Sequence, residues 1–130
     1  MLCFFKYALL FLSGGVAYGM IELLFRGHTH WTMAIAGGIC LIVFYHINHI
    51  PCVPWIKYLL GGGVITAVEG IFGIVFNIIL DWNIWDYSNQ WLNAGGQICV
   101  MFSAFWVLLS IPAFGLCHLL DSEIFCKLGR

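Results

Sequence analysis

The fold class that this sequence predicts is an all-α integral membrane protein with four transmembrane helices. Three observations predict it. The 130 residues are 62% hydrophobic and 8% charged, with a mean hydropathy of +0.98, more apolar surface than a soluble domain of this length can hide. Four apolar runs succeed one another, each near the ~20 residues that a helix needs to cross a bilayer. None of the runs alternates as a barrel strand would, and a lipid-exposed span of this kind satisfies its backbone only as a helix.

The spans fall at about residues 3–25, 31–47, 56–80 and 95–120, in one transmembrane domain covering 1–130. The first opens on "MLCFFKYALLFLSGG", one lysine and then an apolar stretch, as a signal peptide does. No small-x-small cleavage site leads from it into a soluble domain, so it is expected to stay as the first span. A short polar link at 26–30 precedes the second span, and a link at 48–55 with Pro51 and Pro54 precedes the third. The longest connection, 81–94, precedes the fourth, in which Pro112 is tolerable and is expected to kink the helix.

An even number of spans puts both termini on one side, with the 48–55 link. That side carries Lys6, Lys57, Lys127 and Arg130, and the other only Arg26. The positive-inside rule therefore places both termini in the cytoplasm of a multi-pass plasma-membrane protein. Trp31, Trp82, Trp85 and Trp91 then mark the outer interface, and Trp55 and Tyr58 the inner one. The six cysteines show no CxxC and no regular spacing, so they read as small hydrophobes rather than a disulfide framework. Cys3, Cys52, Cys117 and Cys126 fall towards the reducing side. A net charge of −1 excludes an electrostatic nucleic-acid binder.

An internal echo suggests two tandem two-helix units. "GGVAYGMIE" at 14–22 and "GGGVITAVE" at 61–69 both place a glutamate eight residues after the first glycine, at an offset of 47. Gly15, Gly19, Glu22 and Arg26 share one helical stripe, as do Gly62, Thr66, Glu69, Gly73 and Asn77. "AGGICLIVF" at 36–44 and "AGGQICVMF" at 94–102 extend the echo to the even-numbered spans. Two such units would be related by an axis along the membrane normal, the parallel kind of repeat.

Carboxylates inside spans cost ~2.5–3.5 kcal/mol each on insertion scales. Glu22 and Glu69 therefore read as a proton, cation or ligand site, or else as interhelical hydrogen bonds that fix the bundle. Arg26 lies one turn beyond Glu22 and can pair with it or bind an anion. His28 and His30 offer only a weak metal motif, since HxH needs two further ligands. Asp86, Ser88 and Asn93 give the 81–94 segment its polar groups, and Gln97 is expected to enter the fourth span. Three tryptophans suit that segment to the membrane interface, as an amphipathic or re-entrant piece. No GxSxG, HExxH, Walker A or Rossmann fingerprint occurs. An enzyme would have to use the outer cluster of Arg26, His28, Asp86 and Tyr87, which topology alone assembles, and no cofactor is implied.

"IELLFRG" with its following "GG", "ITAVEGIFGIVFN" and "WDYSNQWLNAGGQIC" together resemble the ABC-transporter type IV, or CmpB-like permease, family of small membrane proteins. The resemblance covers about residues 14–110. It carries over Glu22, Arg26 and Gly38, then Thr66, Glu69, Gly73 and Asn77, then Trp85, Asp86, Tyr87, Ser88, Asn93 and Gln97. It implies the membrane part of a transporter, with any ATPase supplied by a separate chain. The expected function is a permease- or channel-like component with an intramembrane carboxylate site for a cation, proton or small polar solute. The alternatives are a membrane-embedded enzyme or lipid-binding protein using the outer cluster, or a structural accessory subunit. Four helices enclose little volume, so the expected partners beside the lipid bilayer are a second copy in a homodimer or a larger membrane protein.

Overall fold

A computed structural model describes residues 2–128. The helices are α1 (Leu2–Arg26), α2 (Trp31–Asn48), α3 (Pro54–Phe72, continuing through Gly73–Ile79) and α4 (Val100–Leu120, continuing through Asp121–Phe125 and Cys126–Leu128). All four are long and apolar enough to cross a membrane, and the only strands among the described residues are the two-residue pair β1 (Asn93–Ala94) and β2 (Ile98–Cys99). The all-α membrane fold class is as the composition requires, and the chain is a multi-pass membrane protein.

Helix ends follow from local chemistry. Gly27 closes α1 at φ +76°, donating its N–H to Leu23 O at 3.0 Å, the left-handed cap that glycine adopts without Cβ strain. His30 caps α2 by accepting from Thr32 N. Pro54 opens α3, at a position where its missing N–H has no helical partner to lose. The third span thus begins two residues before the expected 56. Over Gly73–Ile79 and again over Asp121–Phe125 the helix widens to π-helical winding, with Leu80 N donating to Val75 O at 3.0 Å. Such wide turns are rare and collect at functional positions.

The fourth helix begins at Val100, not at 95, and stays helical past 120. The reason is a hairpin. Asn93 pairs with Cys99 and Ala94 with Ile98, around Gly95 and Gly96 at φ +62° and +74°. Gln97 therefore lies in the hairpin turn, and the expected entry of Gln97 into the fourth span is incorrect. The two "AGG" segments also differ in structure. Residues 36–44 lie inside α2, whereas 94–102 run from strand through turn to helix. Pro112 sits inside α4.

The chain divides into two compact units, one of residues 1–52 with 111–130 and one of residues 53–110. In the first, α1 and α2 are antiparallel and meet through glycines. A Cβ on Gly14 would overlap Gly37 O and Leu41, and one on Gly15 would stand 2.8 Å from Ala34 O. Leu10, Leu41, Phe44, Phe114 and Cys117 fill this unit's core, with the Phe44 and Phe114 rings stacked at 4.8 Å. In the second unit α3 and the first half of α4 run antiparallel. Ser110 Oγ donates to Tyr58 O at 3.1 Å, a Cβ on Gly62 would overlap the Val107 backbone, and Thr66 Oγ1 lies 3.1 Å from Ser103 Oγ. Backbone approach at glycine is how helices without a hydrophobic driving force gain packing contact in lipid.

Candidate functional site

The polar stripe of α3 and the segment that follows it form one connected network. Asn77, buried in the π-helical turn, is its centre. Its Nδ2 donates to Trp85 O at 3.1 Å and to Gln97 Oε1 at 2.8 Å, and its Oδ1 accepts from Ile84 N at 2.7 Å. One side chain thereby holds both the start of the 81–99 segment and the hairpin at its end. Gly73 makes this possible, because a Cβ there would stand 2.6 Å from Gln97 Oε1. Trp85, itself buried, donates Nε1–H to Gln97 O at 2.9 Å.

The 81–99 segment then folds on itself. Tyr87 N donates to Gly96 O at 2.7 Å. Asn93 accepts from Gly96 N at 3.0 Å and donates to Gln90 O at 2.9 Å and Ser88 O at 3.2 Å. Asp86 accepts from Ser88 N at 2.9 Å, and these bonds to the Ser88 backbone and side chain hold its carboxyl below the usual aspartate range. The turn is satisfied by its own polar groups, as an ordered segment of this length must be.

Glu69 sits one helical turn before Gly73. Its Oε1 accepts from the Tyr87 hydroxyl at 2.5 Å and its Oε2 from Trp106 Nε1 at 2.8 Å. Two donors on one carboxylate fit the ionised, acceptor-only form, and charge-assisted bonds are the short ones. Tyr87 stacks on Phe102 at 4.6 Å with the rings 10° apart, and Phe102 lies 6.1 Å from Trp106. The carboxylate is thus framed by aromatic rings, two of which donate to it. Beside the α3–α4 seam an open groove of about 500 Å³ is walled by Gly62, Gly63, Thr66, Gly70, Ile98 and Ser103. Thr66 Oγ1 also lies 2.8 Å from Gly62 O, a bond back to the preceding turn that softens a helix locally.

Glu22 has a different setting. It is buried and bonded to Arg26 Nη1 at 2.9 Å, one turn along α1. His28 is exposed. His30 spends its Nδ1 on Thr32, with Oγ1 at 2.8 Å and N at 3.3 Å. Among the described residues no group of three or more His, Cys, Asp or Glu is placed to hold a metal ion.

The structure therefore brings Glu69 to Tyr87, and Asn77 to Gln97. Asn93 meets the backbone of Ser88 and Gln90, and Glu22 meets Arg26. Trp106 and Ser103 complete the site but were not singled out in the sequence. Trp106 lies mid-span, where an indole N–H needs a partner, and that was the available signal.

A family model described as "Putative ABC-transporter type IV" matches residues 24–129, a stretch that holds Thr66, Glu69, Asn77 and the whole 81–99 segment. The chain belongs to this family. Glu22 stands just outside the matched stretch. No curated protein matches the chain, and no solved structure does. The family's description agrees with the four membrane-spanning helices in making this an ABC-transporter-type membrane protein.

Proposed function

We propose that this family member is a small permease- or channel-like transporter component and that Glu69 is its binding site for a cation, proton or small polar solute. The observation that carries the reading is the Glu69 carboxylate, inside an apolar span and bonded at once to Tyr87 of the 81–99 segment and to Trp106 of α4. Tyr87 and Trp106 orient the carboxylate within the span, where a solute that brings positive charge or a proton can be recognised. The bond from Tyr87 links occupancy of that site to the position of the 81–99 segment. Asn77 and Thr66 extend the polar stripe above and below it. Glu22, already paired with Arg26, fits a structural role better.

The excess of basic residues on the terminal side supports a plasma-membrane orientation with both termini cytoplasmic. The small size of the bundle supports assembly as a homodimer or with a larger membrane partner. Intrinsic tryptophan fluorescence tests the site, because Trp106 reports on Glu69. Purified protein titrated with protons, sodium, potassium, ammonium and small polar solutes should respond to at least one of them, and the response should vanish in Glu69→Gln. A panel that gives identical curves for wild type and Glu69→Gln overturns the reading.

A further inference from the structure

A second polar cluster lies in the other unit, at the end of α2, and the transport reading does not use it. His49 follows the last residue of α2, and its side chain is half exposed. Its Nδ1 lies 2.7 Å from Tyr45 O, a carbonyl in the last turn of that helix. Its Nε2 lies 3.3 Å from Asp121 Oδ2, where α4 widens into its π-helical turn. The other Asp121 oxygen accepts from Tyr45 Oη at 3.3 Å. Both ring nitrogens of His49 therefore face oxygens that can only accept. A neutral imidazole has one N–H and one lone pair, so it can satisfy only one of these oxygens, and the lone pair then faces the other. The imidazolium satisfies both.

We infer that His49 is a proton-binding site that latches the Asp121–Phe125 turn of α4 to the end of α2. With the proton bound, the imidazolium bridges Tyr45 O and Asp121, and its charge suits the carbonyl end of α2. Loss of the proton takes it from Nε2, the nitrogen with the longer contact. Nδ1–H stays on Tyr45 O, and the link to Asp121 is lost. The surrounding charges are few. From α1, Lys6 Nζ sits 4.4 Å from the Tyr45 ring centre and 5.3 Å from that of Phe125, and the Tyr7 hydroxyl lies 3.2 Å from His46 Nε2. At the end of α4, Glu123 is paired with Lys127 at 3.0 Å. Lys6 remains near Asp121 after His49 is neutral, so the latch loosens without leaving the carboxylate in a wholly neutral setting.

Nitrogen NMR of histidine-labelled protein in lipid nanodiscs tests this directly. At about pH 5 both His49 ring nitrogens should be protonated, and Asp121→Asn should move the Nε2 signal while leaving Nδ1 in place. At about pH 8.5 the neutral wild-type ring should carry its proton on Nδ1. Amide exchange across 121–125, corrected for the intrinsic effect of pH, should quicken several-fold over the same interval and lose that dependence in His49→Gln. A neutral ring protonated on Nε2 overturns the inference. So does an Nε2 signal indifferent to Asp121→Asn, or exchange that ignores pH in wild type. The tautomer measurement needs no variant and stands if either substitution impairs folding.

Discussion

The Tyr87 hydroxyl lies 2.5 Å from Glu69 Oε1, so a residue of the 81–99 segment is bonded directly to a carboxylate within α3. Tyr87→Phe keeps the stacking on Phe102 and removes this bond. A hydrogen bond to a charged group contributes about 1.5–3 kcal/mol. The variant should fold, lose stability of that order in a denaturant series, and show faster amide exchange in the 81–99 segment. Unchanged exchange there would mean that the bond does not anchor the segment.

Asn77 should be the most sensitive polar residue of the network. Asn77→Ala strips partners from Ile84 N, Trp85 O and Gln97 Oε1 together, and each buried group left unpaired costs about 1–3 kcal/mol. Near-ultraviolet circular dichroism, which senses Trp85 and its fixed surroundings, should lose intensity well before helical content falls.

Two glycines one residue apart should answer oppositely. Gly62 meets the Val107 backbone, whereas Gly63 has nothing within 4 Å. Gly62→Ala forces the α3–α4 seam apart, at about 1–3 kcal/mol for overpacking. Gly63→Ala should be neutral or stabilising, since alanine is the better helix former. Thermal denaturation of the pair checks the packing of α3.

The Glu22–Arg26 pair should show an asymmetry. Glu22 is buried, and its partner's side chain is a third exposed. Arg26→Gln leaves a carboxylate without its guanidinium away from water, whereas Glu22→Gln leaves an arginine that can reach solvent. Unfolding measurements should find the arginine variant the less stable.

Asp86 gives a pH dependence of known sign. Hydrogen bonds from the Ser88 backbone and side chain lower its pKa in the folded state. The turn is therefore fully supported above the ordinary aspartate value of about 3.9 and loses that support as pH falls through the lowered value. The Ser88 amide resonance should titrate below that ordinary value, and the titration should be absent in Asp86→Asn.

The helices were legible because apolar length leaves a membrane chain few choices. The start of α4 was not. Gly95, Gly96, Ile98 and Cys99, with Gln97 among them, lead straight into the apolar run of α4, and backbone conformation, with φ positive at Leu92, Gly95 and Gly96, shows that they turn back as a hairpin. The stripe of Thr66, Glu69, Gly73 and Asn77 was readable from helical spacing alone. Its partners were not, because spacing says which residues share a face and not what covers it. Asp121, His49 and Tyr45 escaped for the same reason. They are far apart in sequence, and each alone looks like an ordinary interfacial residue.

Flux through proteoliposomes tests the central claim most directly. Protein reconstituted into vesicles should pass protons, a monovalent cation or a small polar solute above the rate of empty vesicles. Glu69→Gln should abolish that flux, while Glu22→Gln, once shown to be folded, should retain it. Equal flux in wild type and Glu69→Gln, or none in wild type beyond empty vesicles, would contradict the assignment of Glu69 as the transport site.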